Sequence, residues 1–145
     1  MNNNALGRRF EITFCGMLSD YGFWVHRLNA NSAGQPADVI AVRDGKAYLI
    51  DCKVCTNGVF RTSRVESNQH TAMALWESCG NGQGWFAMLF PEEESNIVMV
   101  PYINIKAADP VGYLSYSDIM RYGYGKPLDA WAESTKVRKV KWKLP

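Results

Sequence analysis

The chain has 145 residues, 47% of them hydrophobic and 21% charged, with a net charge of +2. That balance excludes the low-hydropathy, high-charge regime in which chains stay disordered, and the length suits one domain that buries about two-thirds of its unfolded surface. A single domain over residues 1–145 is therefore expected. The longest apolar runs, such as residues 85–90, are far too short to cross a bilayer, and the opening Met1-Asn2-Asn3-Asn4 lacks the basic-then-apolar order of a secretory leader. A cytoplasmic protein with no membrane partner is the expectation. In that compartment Cys15, Cys52, Cys55 and Cys79 are read as reduced thiols.

In chain order, Leu6, Phe10, Phe14, Met17, Leu18 and Tyr21 recur at helical spacing and form one apolar stripe. This predicts an amphipathic helix over 5–21, closed by Gly22. Residues 23–28 read as a strand and 29–35 as a polar loop. Residues 37–42 and 47–51 are short apolar runs rich in β-branched side chains, separated by Arg43-Asp44-Gly45-Lys46. Asp-Gly between such runs signals a hairpin, because both central residues of a type I′ turn take positive φ. Neither run alternates cleanly between apolar and polar, so the sheet should be covered on both faces. Residues 56–68 read as a polar loop. A second helix over 68–79 places Ala72, Met73, Trp76 and Cys79 on one face before Gly80 ends it. Strands follow at 85–90 and 97–100, joined by an acidic turn. Beyond residue 101 the signals reduce to short helices at 117–122 and 128–133 and a terminal strand with a basic face at 137–144. This order implies an α/β fold with a mixed central β-sheet flanked by helices, its core over about residues 5–101 and a C-terminal extension over 102–145.

The hairpin register follows from its turn. With Asp44 and Gly45 as the loop residues, Arg43 faces Lys46, Val39 faces Ile50, and Asp38 faces Asp51. Residues opposite one another in an antiparallel ladder share a face, with Cβ atoms about 5 Å apart. Two carboxylates at that distance repel by about 3 kcal/mol at an effective dielectric near 20. A shared proton, a neighbouring cation or a bound metal can offset this. Lys53 shares the face of Asp51 by the period-2 rule and supplies part of the positive charge. A hard cation such as Mg²⁺, which takes one or two carboxylates and keeps several waters, would supply the rest. Such a group suits metal-assisted phosphodiester hydrolysis, with Lys53 orienting water or stabilising developing charge. Glu11, at the edge of the buried stripe, is a third acid within reach of the sheet. The competing reading makes Asp38 and Asp51 ordinary strand-end acids with Lys53 as a salt-bridge partner.

Other features carry less. Cys52-Lys53-Val54-Cys55 has half the spacing of a zinc site but no second pair, so core thiols are expected. The Gly80–84 segment lacks the ending of a phosphate loop, and His26 and His70 stand outside any metal-spaced cluster. Glu92-Glu93-Glu94 reads as a solvated turn. Tyr102, Tyr113, Tyr116, Tyr122, Tyr124 and Trp131 read as core or interface residues rather than base-stacking ones. Arg8, Arg9, Arg61 and Arg64 flank the acids in sequence and read either as DNA phosphate contacts or as plain solubilising charge. Five of the sixteen basic residues, Lys139 and Lys141 among them, fall in the last ten positions, leaving eleven basic against fourteen acidic residues, a net −3, over 1–135. Two readings of this tail stay open: it lies along phosphates, or its lysines protect an edge strand from aggregation.

Pro36-Ala37-Asp38, twelve residues, then Asp51-Cys52-Lys53 resembles the signature of the PD-(D/E)XK nuclease superfamily, with its restriction-endonuclease-like core. Within it, Gly7-Arg8-Arg9-Phe10-Glu11 and the Phe60, Arg64 and Asn68-Gln69 stretch resemble Holliday-junction resolvases. The resemblance implies a Mg²⁺-dependent DNA endonuclease, Mn²⁺ substituting, that acts as a homodimer on four-way junctions in DNA recombination and repair. It implies Glu11 as the first-helix acid, Asp38, Asp51 and the backbone carbonyl of Cys52 as metal ligands with Glu11 beside them, Lys53 as the catalytic lysine and Gln69 as the polar residue opening the second helix. The second acid is Asp51, where resolvases more often carry Glu. Other readings are a nuclease of the same superfamily cutting duplex or flap DNA, and a DNA-binding module that keeps the fold without cutting. A small stand-alone nuclease fits a phage or a bacterium.

Overall fold

Asp44 and Gly45 take φ of 56° and 77°, the pair of left-handed residues that a type I′ turn requires. The computed structural model describes residues 3–28 and 36–137. Helix α1 (Asn3–Asp20) leads to β1 (Trp24–Arg27), and the turn joins β2 (Val39–Arg43) to β3 (Lys46–Val54). The ladder runs from Val39 opposite Ile50 to Arg43 opposite Lys46, the register that the turn predicts. Then come β4 (Val59–Arg61), α2 (Ser67–Trp76), β5 (Trp85–Leu89), β6 (Ile97–Pro101), α3 (Tyr102–Ala108), β7 (Tyr113–Ser115), α4 (Tyr116–Tyr122), β8 (Lys126–Pro127) and α5 (Leu128–Ser134).

Six strands form one mixed sheet in the order β1-β2-β3-β5-β6-β8. Only β3 and β5 run parallel; the other neighbours are antiparallel. A parallel pair needs a long crossover, and the segment carrying α2 provides it. The sheet is covered on both faces, as its unbroken apolar strands require. Phe10, Phe14 and Leu18 of α1 and Leu128 and Trp131 of α5 pack on Val39, Ala41 and Ile50. On the other face, Met73 of α2, Ile105 of α3 and Ile119 of α4 pack with Leu49, Phe86 and Val100.

Several elements depart from the sequence reading. The first helix ends at Asp20, and Tyr21 is exposed; Gly22, at φ 92°, turns the chain before Tyr21 can join the stripe. Residues 56–68 are not all loop, because β4 pairs with β7, setting Phe60 opposite Leu114. That partner is distant in sequence, so no local pattern announces it. Helix α2 widens into a π-type turn over Glu77–Asn81, with Gly80 at φ 88°, which carries Cys79 to the surface instead of onto the buried face. Elements α3, β7 and β8 were not among the expected ones. The loop at 29–35 lies outside the described residues, as does all but the first residue of the terminal strand expected at 137–144. Among the described residues no helix is long and apolar enough to cross a membrane.

Arg43 ties α5 to the hairpin. Its guanidinium stacks 4.2 Å from the Phe23 ring centroid and donates to the carbonyls of Tyr21 and Ala132 and to the Thr135 hydroxyl. Three acceptors each lose a hydrogen bond if this side chain is removed. Arg43→Ala is expected to lower unfolding stability by about 2–4 kcal/mol in urea titrations. A loss under about 0.5 kcal/mol, the range of an ordinary surface substitution, would contradict this role.

Candidate active site

Asp38 lies one residue before β2 and Asp51 lies inside β3 opposite Phe86 of β5. The register brings their side chains together. Asp51 is 1% exposed and Asp38 8%, so neither carboxyl is freely solvated. Asp38 Oδ2 accepts from the Cys52 amide at 2.7 Å, which anchors it to β3. Burial first, and then the charge of Asp38, push Asp51 well above the usual carboxylate range; Lys53 offsets only part.

Lys53 Nζ stands 3.0 Å from Asp51 Oδ2 and donates to Gln69 Oε1 at 3.3 Å and to the Arg64 carbonyl at 3.4 Å. Gln69 Nε2 donates to Asp51 Oδ1 at 3.1 Å, so the amide presents its oxygen to the cation and its nitrogen to the acid. The same residue closes the capping box of α2, with Oε1 accepting from the Glu66 amide at 3.0 Å. Helix nucleation and site geometry thus depend on one side chain. Asp51 Oδ2 is buried and accepts no hydrogen bond; Lys53 approaches it as an ion pair. A buried carboxylate oxygen that accepts no hydrogen bond, beside a second carboxylate, is an arrangement that a hard divalent cation satisfies.

Glu11, on α1, reaches this end of the sheet from the other layer. Its carboxyl is raised by burial first and by Asp38 next, while Arg27, with Nε 3.4 Å away, pulls it down. Arg27 was not among the expected site residues. It pairs with Val39, one step from Asp38, but that neighbour relation exists only once β1 docks on β2. Among the described residues, no three acidic, histidine or cysteine side chains form a metal-holding cluster; Glu11 is engaged with Arg27.

The remaining candidates separate. Arg61 and Arg64 line a cavity with Lys53, whereas Arg8 and Arg9 lie exposed on α1. Lys139 and Lys141 fall outside the described residues. His70 bonds the Tyr102 hydroxyl at 2.6 Å, and His26 stacks on Trp24. Burial pushes the Cys55 thiol up to about 11 and Cys52 well above its usual range, the condition of packed thiols. Tyr102 and Trp131 are buried, while Tyr113, Tyr122 and Tyr124 are exposed.

The family described as archaeal Holliday junction resolvase (Hjc) matches residues 2–135. The chain belongs to the archaeal Holliday junction resolvase family. Its function is that of a junction-resolving nuclease and its partner is branched DNA. The match spans Glu11, Asp38, Asp51, Lys53 and Gln69. Among solved structures, the chain is similar to Archaeoglobus fulgidus Hjc, a Holliday junction resolvase from an archaeal hyperthermophile, at 15% identity and a TM-score of 0.66. The likeness covers 87% of this chain and 98% of that one, and it shows that the two share a fold. No curated protein gives a significant match.

The raised Asp51 has a consequence for stability. Folded Asp51 keeps its proton at a pH where the unfolded chain, with an ordinary value of 3.8, has released it. Stability is therefore lost as pH climbs from there through the raised value, at up to about 1.4 kcal/mol per unit. Asp51→Asn lacks this loss. In urea titrations of metal-free protein, wild type is expected to fall relative to Asp51→Asn as pH rises, and Mg²⁺ to narrow the gap at neutral pH. Parallel pH curves for the two proteins would contradict the assignment.

Proposed function

We propose that the chain hydrolyses phosphodiester bonds at four-way DNA junctions as a Mg²⁺-dependent cytoplasmic homodimer, with Asp38, Asp51 and the Cys52 carbonyl as metal ligands and Glu11 as an auxiliary acid. The observation that carries this is the buried, facing pair Asp38 and Asp51 beside Lys53, with an Asp51 Oδ2 that accepts no hydrogen bond. Mg²⁺, when bound, polarises a phosphoryl oxygen and makes water more acidic. Lys53, held by Gln69 and the Arg64 carbonyl, orients the attacking water and stabilises the negative charge that develops on the phosphate oxygens. Gln69 keeps Asp51 and Lys53 in register, and Arg27 fixes the Glu11 carboxylate. Arg8, Arg9, Arg61 and Arg64, with Lys139 and Lys141 of the tail, contact the DNA backbone and position it without reading sequence.

A four-way junction offers two equivalent strands, so paired cuts call for two sites related by a two-fold axis.

Labelled four-way junctions and linear duplex, each with Mg²⁺ and with EDTA, test the proposal. Paired nicks near the branch point that need the metal are expected. Asp51→Asn and Lys53→Ala should each lower cleavage by at least about 10²-fold, with junction binding by Asp51→Asn retained. Binding should weaken as salt is raised. Cleavage in EDTA, or by Asp51→Asn at the wild-type rate, would contradict it.

A further inference from the structure

A cavity of about 480 Å³ opens beside Lys53 and Cys52. Its volume falls in the range of small-ligand pockets, about 300–1,000 Å³, enough for one nucleotide. Leu6 of α1, Val54 at the end of β3 and Val59 of β4 give it an apolar wall. Asn57, Arg61 and Arg64 give it a polar, cationic one. No acidic side chain lines it among the described residues.

Arg64 is held in place within this lining. Arg64 Nη1 donates to the Val54 carbonyl at 2.7 Å, and its guanidinium lies 5.8 Å over the Phe60 ring, so one edge is anchored. Asn57 and Gly58, at φ 60° and 68°, curl the chain so that Val54 and Val59 border the same space. A lining that combines apolar side chains with an anchored guanidinium matches a nucleotide, which has a flat apolar face and an anionic phosphate.

We propose that this cavity receives one nucleotide of the strand being cut, unpaired at the branch point, its base against Leu6, Val54 and Val59 and its phosphate against Arg61 and Arg64. The inference rests on the hydrolytic site proposed above and specifies which feature of the substrate that site selects. In continuous duplex a base pair must break before a nucleotide can enter. At a branch point extrusion costs less. The cavity therefore favours branched over linear DNA without reading the base edge.

The test uses the Asp51→Asn chain and four-way junctions carrying 2-aminopurine on either side of the mapped cut. Fluorescence at one of the two positions is expected to rise about threefold on binding as the base leaves its stack. Val59→Trp, which fills the cavity, should abolish that rise in the Asp51→Asn background and slow junction cleavage about tenfold or more in the wild-type background. Should Val59→Trp fail to fold by circular dichroism, Asn57→Ala and Arg61→Ala, both at exposed positions, carry the test, and each should reduce the signal. A bound junction with a silent probe at both positions would overturn the cavity's role alone. Loss of junction binding by Asp51→Asn would overturn the proposed function together with it.

Discussion

Two carboxyls face each other where water scarcely reaches, and the rest of this end of the molecule answers that conflict. Burial and mutual repulsion both disfavour full ionisation of the Asp38 and Asp51 pair. A fold selected for stability alone would place an apolar pair here, since a well-packed hydrophobic substitute for buried charge is commonly neutral or stabilising. In the proposed reading, retaining the acids beside Lys53 stores electrostatic strain that a divalent cation would release on binding. On that reading, the local cost is the means by which the site would gain affinity for a hard metal.

The scaffold shows why the strain can be carried. Asp51 sits in β3, which is hydrogen-bonded to β2 on one side and to β5 on the other, and its side chain cannot move away without breaking the sheet. Gln69 couples this strand to the first turn of α2 through Asp51, Lys53 and the Glu66 amide. Close packing fixes the distance between helix and sheet: Gly84 lies against Met73 of α2, so near that an added Cβ would fall 2.0 Å from the sulfur. The acids are placed by the sheet and the amide by the helix, and neither element adjusts independently.

What the sequence made legible follows from locality. The Asp44-Gly45 turn is a two-residue signal with a defined geometry, so it specified the register of β2 and β3 and hence the meeting of Asp38 and Asp51. The stripe Phe10, Phe14 and Leu18 fixed the covering helix for the same reason. The role of Gln69 came only through resemblance to resolvases, because it depends on how the crossover docks α2. Arg27 was missed because its relation to Glu11 and Asp38 depends on the docking of β1, across the segment 29–35. The pairing of β4 with β7 joins residues too distant for a periodic pattern to link. Tyr21 and Cys79 were misplaced because glycines next to them redirect the chain before the helical stripe completes.

The central claim is that the facing acids are a cation site. Crystals soaked in Mn²⁺ and measured at the manganese absorption edge address it directly. The account predicts an anomalous peak between the Asp38 and Asp51 carboxylates, touching Asp51 Oδ2, that disappears in Asp51→Asn. A map with no peak there, or with manganese only at distant surface acids, would contradict it.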